Sequence, residues 1–122
     1  MDESRGGMAM AEYCRMESAL EIFMGKWKPV ILLRLFANGT MRFSELQKAI
    51  PDITKKMLTQ QLRELEHHDI VHREVYQQVP PKVEYSITEY GMRMRPVMQA
   101  LNDWGVAHIA HLGKLYGEDT AR

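Results

Sequence analysis

The chain has 122 residues, 45% of them hydrophobic, with a formal net charge of zero and one cysteine. That length suits a single domain able to bury roughly two-thirds of the surface its unfolded chain exposes. One cysteine excludes a disulfide framework and fits a reducing cytoplasm. The longest apolar run, 29–33, is too short to cross a bilayer, and the first ten residues lack the basic and apolar regions of a secretion signal.

A zero net charge argues against a nucleic-acid partner until its distribution is examined. Residues 26–95 carry 12 Lys and Arg against 8 Asp and Glu, whereas the two ends together carry 4 basic and 8 acidic residues. A basic middle between acidic ends is the pattern of a core that meets phosphates while its flanks stay clear of them.

Taken in chain order, residues 1–10 show no hydrophobic period and read as a disordered tail, leaving 11–122 as the domain. Apolar residues at Met16, Ala19, Leu20, Phe23 and Met24 recur at three and four, predicting a helix over 13–24 that Gly25 stops. Pro29, expected at the first helical position, opens a second helix over 29–37, apolar almost all round and therefore a buried spine. Asn38-Gly39 ends it. Residues 40–42 form a short extended piece, expected as the third strand of a small sheet. A short helix follows over 43–50 with Phe43, Leu46 and Ile50 inward, then a turn at Pro51-Asp52. Thr54 is a suitable N-cap for a helix to about His67, which Asp69 closes. Residues 70–76 and 83–88 alternate as the strands of a hairpin. Thr88 caps a last helix from Glu89 to about Tyr116, with Pro96 inside it and expected to kink it near Arg95. This order predicts an α+β fold, mostly α: a winged helix-turn-helix with added N- and C-terminal dimerisation helices.

On a helical wheel the segment from Thr54 separates into two faces. Leu58, Leu62 and Leu65 cluster toward the core, while Lys55, Lys56, Thr59, Gln60 and Arg63 share an arc of about 140°. Arg can grip guanine O6 and N7 as a fork, Gln can do the same to adenine N6 and N7, and Thr meets a base edge or a thymine methyl. Lys55 and Lys56 sit in the first turn, where cations oppose the helix dipole, so a phosphate partner would explain them. A merely solvated charged face is the alternative for this arc taken alone. In the hairpin, Val71 and Val75 are expected to pair with Val83, Tyr85 and Ile87 on one apolar face. Pro80-Pro81 stiffens the tip and guards an exposed edge. Arg73, Gln77, Gln78 and Lys82 are then left for phosphates or a minor groove, unless the hairpin is a plain cap. Arg42 and Ser44 read as backbone anchors.

Several separated motifs now carry a resemblance: Cys14, Gly25-Lys26-Trp27-Lys28, Arg42-Phe43-Ser44-Glu45-Leu46, Lys56-Met57-Leu58-Thr59, Leu62-Arg63-Glu64-Leu65-Glu66, Val79-Pro80-Pro81-Lys82-Val83-Glu84-Tyr85, and Pro96-Val97 through Trp104-Gly105. Over residues 14–107 the chain resembles the HxlR family of bacterial regulators, relatives of the MarR type. The resemblance implies a homodimer of winged helices on a roughly palindromic double-stranded DNA operator, often near genes for handling electrophiles, quinones or oxidants. By position it makes the helix from Thr54 the recognition helix, Val79-Pro80-Pro81 the wing and Cys14 a redox switch, with a small electrophile or oxidant as effector. Two departures stand out: Met24 replaces a common second glycine, and no second cysteine exists. A disulfide switch within one protomer is therefore out of reach.

The apolar stripe Met94, Val97, Met98, Leu101, Trp104, His108, Leu112 and Leu115 is longer than one small domain can cover. An interchain seam with Met16 and Leu20 of the N-terminal helix explains it, although Met94 to Leu101 could pack within the chain. The ten methionines read as adaptable core and interface filler. Cys14, at an expected helix start beside Arg15, is either a reactive thiol or an inert buried one. His108 and His111 share a helical side without a third ligand nearby, so no metal site is expected, and no cofactor. No phosphate loop, G-x-S-x-G or Cys–His motif suggests an enzyme. The sequence therefore favours a DNA-binding regulator; the alternative is a winged-helix protein-interaction module with no operator.

Overall fold

The computed structural model describes residues 9–117, so most of the expected disordered tail lies outside the described residues. Helix α1 covers Met10–Phe23, three residues earlier than its apolar period suggested, because Glu12 reaches back to accept the Ala9 N–H and caps the first turn. Gly25, at φ 93°, sits just beyond its end, a conformation that side chains resist. Helix α2, Lys28–Asn38, starts one residue before Pro29, which lies in the first turn where its missing N–H has no partner to lose.

Strand β1 (Met41–Arg42) leads into α3 (Phe43–Ala49), and α4 follows over Lys55–His67. The turn between them places Asp52 at φ 71°. Asp69 at φ 62° ends α4: it takes the left-handed conformation Asp tolerates, and the Ile70 N–H returns to the Leu65 carbonyl at 3.0 Å. Strands β2 (Val71–Tyr76) and β3 (Lys82–Ile87) form the hairpin, and β1 pairs with the outer side of β3, giving the antiparallel order β1-β3-β2. The three-stranded sheet on a mostly helical body is the expected winged helix-turn-helix architecture.

The core explains why these elements meet. Ile31, Leu32 and Leu35 of α2, Leu46 and Ile50 around α3, and Leu58, Leu62 and Leu65 of α4 are buried with Ile53, Ile70, Val71 and Tyr85. Each such aliphatic side chain contributes about 1.5–3 kcal/mol relative to exposure. The spine is less uniform than its composition implied, since Leu33 on α2 is 55% exposed. The hairpin is apolar only at its base. Val71 pairs with Ile87 and Val75 with Val83, but Arg73 stands opposite Tyr85, and Val75 is exposed.

The last helix corrects one expectation. Thr88 does cap a turn, its hydroxyl accepting from the Gly91 N–H at 2.8 Å, but that turn is a short 3-10 segment, Gly91–Met94. Helix α5 proper runs Arg95–Tyr116, and Pro96 lies in its first turn, so it begins the helix instead of kinking its interior. Gly91 is packed tightly: a Cβ there would stand 2.5 Å from the Ile70 carbonyl oxygen. Neither α1 nor α5 contains a buried residue, and only Met94 and Met98 from this region lean on the core.

Candidate nucleic-acid interface

Thr54 fixes the start of α4. Its hydroxyl accepts the Met57 N–H at 3.1 Å, satisfying one of the donors a helix start leaves open. From that point the three leucines face inward, and Lys55, Lys56, Thr59, Gln60 and Arg63 line one continuous open surface. Lys55, Lys56, Gln60 and Arg63 are exposed and Thr59 is half-buried. The packing of one face thus presents five hydrogen-bonding side chains together on the other.

Around this surface the remaining residues separate into near and far. Arg42 and Ser44 are exposed at the start of α3, where the Arg42 N–H donates to Glu45 at 2.8 Å. Arg73 is at the base of the hairpin, not its tip: with Thr59, Leu62, Arg63, Glu66 and Tyr85 it lines a recess between α4 and the sheet. Gln77, Pro80 and Pro81 are exposed at the tip, where the Val79–Pro80 peptide is cis and Val79 is 99% exposed. Lys82 is engaged within the hairpin. Its ammonium lies 3.3 Å from Glu84 and 4.6 Å from the centre of the Tyr76 ring, and the Glu84 charge raises the Tyr76 phenol above its ordinary pKa.

Sequence reading missed one cluster. The Lys28 ammonium, on the first turn of α2, donates to the Gln61 side-chain oxygen at 3.0 Å and forms an ion pair with Glu64. The other Glu64 oxygen accepts from the Gln60 amide at 3.3 Å. Hydrogen bonding from Lys28, then from Gln60, holds the Glu64 carboxyl below the ordinary glutamate range. Two signals were available: a lysine opening a helix, where its charge opposes the dipole, and a glutamate four residues after a glutamine.

Away from α4, Cys14 is exposed and lies a full turn inside α1, not at the helix start. Its carbonyl accepts from the Ser18 hydroxyl at 3.1 Å. Met16, Leu20, Leu101, Trp104 and Leu115 are all exposed, whereas Met98, His108 and Leu112 are half-buried. Ile109 and Tyr116, absent from the expected stripe, widen the exposed apolar surface of α5. The Trp104 and His108 rings stack at 4.6 Å, with His111 6.5 Å further on.

A family model described as HxlR-like helix-turn-helix matches residues 22–112, spanning α2, the helix pair, the hairpin and most of α5. The chain belongs to that family. It is 50% identical over 104 residues to the HTH-type transcriptional regulator YdeP of Bacillus subtilis strain 168, covering 85% of this chain and 80% of that protein. Among solved structures it is similar to the redox regulator HypR in its reduced form, at 45% identity and TM-score 0.75, covering 82% of this chain and 98% of that one. The reduced transcriptional regulator YodB from B. subtilis matches at 36% identity and TM-score 0.69, covering 81% and 92%. This HxlR-family chain is a transcriptional regulator of the helix-turn-helix type, and its relatives are regulators, not enzymes. Among the described residues no helix is long and apolar enough to cross a membrane.

Proposed function

We propose that this regulator binds a sequence-specific operator as a cytoplasmic homodimer, with α4 in the major groove and the hairpin along the adjacent backbone. The observation that carries the reading is the outward arc of Lys55, Lys56, Thr59, Gln60 and Arg63, open to solvent over a wall of buried leucines. Gln60 and Arg63 are the base readers, and Thr59 meets a base edge or methyl. Lys55, Lys56, Arg42 and Ser44 hold phosphates, with Thr54 donating at the helix start. Gln77, Pro80, Pro81 and Lys82 form the backbone-tracking wing, and Arg73 works beside Arg63 in the recess.

The exposed apolar surfaces of α1 and α5 support a two-fold seam through Met16, Leu20, Met98, Leu101, Trp104, His108, Leu112 and Leu115. Such a seam sets the recognition helices about 34 Å apart, one DNA turn, and calls for a palindromic site. Cys14 lies on α1, so oxidation or alkylation there by a small electrophile or oxidant would alter the seam; the redox regulators among the structural relatives support this reading. With one cysteine per chain the chemistry is an interchain disulfide, a mixed disulfide or an adduct.

Selection of bound sites from random duplex DNA tests the proposal. A palindromic consensus is expected, with a salt slope of about −7 if eight phosphates are neutralised. Failure to enrich any sequence would point to the protein-interaction alternative. Repeating the selection after diamide treatment of wild type and Cys14→Ser tests the switch; an identical response in both would remove Cys14 from it.

A further inference from the structure

The reading of α4 as a base-contacting helix leaves open how a flexible glutamine offers one hydrogen-bonding edge and not the other. An unconstrained side-chain amide can turn over, exchanging its acceptor oxygen for its donor nitrogen at little cost. Gln60 is not unconstrained. Its amide lies 3.3 Å from Glu64 Oε2, one helical turn further on, and an ionised carboxylate only accepts. The group facing Glu64 must therefore be the NH2, which removes the flip. The other Glu64 oxygen is held by Lys28, whose side chain is only 13% exposed and also donates to Gln61. The clamp thus starts in the α2 framework, crosses to α4 and ends on a side chain of the open surface.

We propose that Lys28 and Glu64 are positioning residues that fix the amide orientation of Gln60 and so set its base preference. This rests on the reading of α4 as the DNA-contacting helix. With one N–H given to Glu64, the amide keeps its second N–H beside its carbonyl oxygen. That donor–acceptor pair matches the N7 acceptor and N6 donor of adenine. Glu64 need not touch DNA. It decides which way the reader faces, and Lys28 keeps Glu64 in place and ionised.

The test is selection from random duplexes with full-length wild type, Gln60→Ala, Glu64→Gln, Lys28→Met and the Gln60→Ala/Glu64→Gln double variant, each checked by thermal melting. Wild type should enrich one adenine position that Gln60→Ala loses. Glu64→Gln should reduce the adenine preference there by about fivefold or more, because an amide partner accepts either orientation of Gln60. Lys28→Met should act in the same direction, less strongly. In the double variant the Glu64 change should add nothing to the loss from Gln60→Ala. A purely structural role would lower melting temperature and weaken all sequences alike, leaving that one preference intact, and would overturn the proposal. So would a wild-type preference surviving in Glu64→Gln, or no position responding to Gln60→Ala. If wild type enriches no sequence at all, the underlying reading of α4 fails instead, which is a separate result.

Discussion

Every buried hydrophobic residue described lies between Ile31 and Tyr85, in the segment that forms α2, α3, α4 and the sheet; α1 and α5 bury none. Both regions are apolar, yet one satisfies its hydrophobic surface inside the protomer and the other leaves Tyr13, Leu20, Leu101, Trp104 and Tyr116 open. The contrast separates two jobs. The central region is a self-contained frame that orients side chains, and the flanking helices carry surface that only another molecule can cover.

Substitutions should therefore behave differently in the two regions, and the largest effect belongs to the frame. Leu62→Ala removes a buried side chain from directly behind Arg63 and should cost about 2–5 kcal/mol in denaturant unfolding, with DNA binding lost alongside. Gly91→Ala should cost about 1–3 kcal/mol, because its new methyl group must displace the Ile70 backbone at the junction between frame and α5. Thr54→Ala should cost about 1 kcal/mol by removing the cap that starts α4. Leu101→Asp, in the flanking region, should leave far-UV helicity intact and shift sedimentation from dimer to monomer. If it unfolds the chain instead, the separation of roles is wrong.

The smallest effect is electrostatic. Glu64 titrates below the ordinary glutamate range in the folded state, so its pairing stabilises the protein at neutral pH and above that range. As pH falls through the ordinary value, about 4.3, toward the lower folded one, that contribution should be lost. Comparing wild type with Glu64→Gln across this window should show a slightly steeper decline in wild type; parallel curves would remove the linkage. Glu64 is largely solvated, so screening keeps the effect small.

The frame was legible in the sequence for a physical reason. Leucines at 58, 62 and 65 can share only one helical face, and alternating valines at 71, 75 and 83 bounded by Pro80-Pro81 leave little but a hairpin. The same logic placed Lys55, Lys56, Thr59, Gln60 and Arg63 together. It failed where tertiary contacts decide. Pro96 suited either a kink or a helix start, and the Thr88–Gly91 turn settled which. Arg73 shares a sheet face with Tyr85, which draws it toward α4 and away from the tip. The Lys28–Glu64 pair joins positions 36 apart and leaves no periodic trace. Leu33 could not be identified as exposed, because composition alone does not say which side of an apolar helix lacks a neighbour.

The central claim is that the open face of α4 meets base edges. Its most direct test is an NMR titration of isotope-labelled protein with a selected duplex, following backbone amides and the Gln60 and Arg63 side chains. The account predicts that the largest shifts fall on residues 54–63 and on the hairpin tip, with the Gln60 side-chain NH2 and the Arg63 guanidinium protons moving most. Unperturbed α4 signals, with shifts gathered on α1 or the outer face of α5, would contradict it.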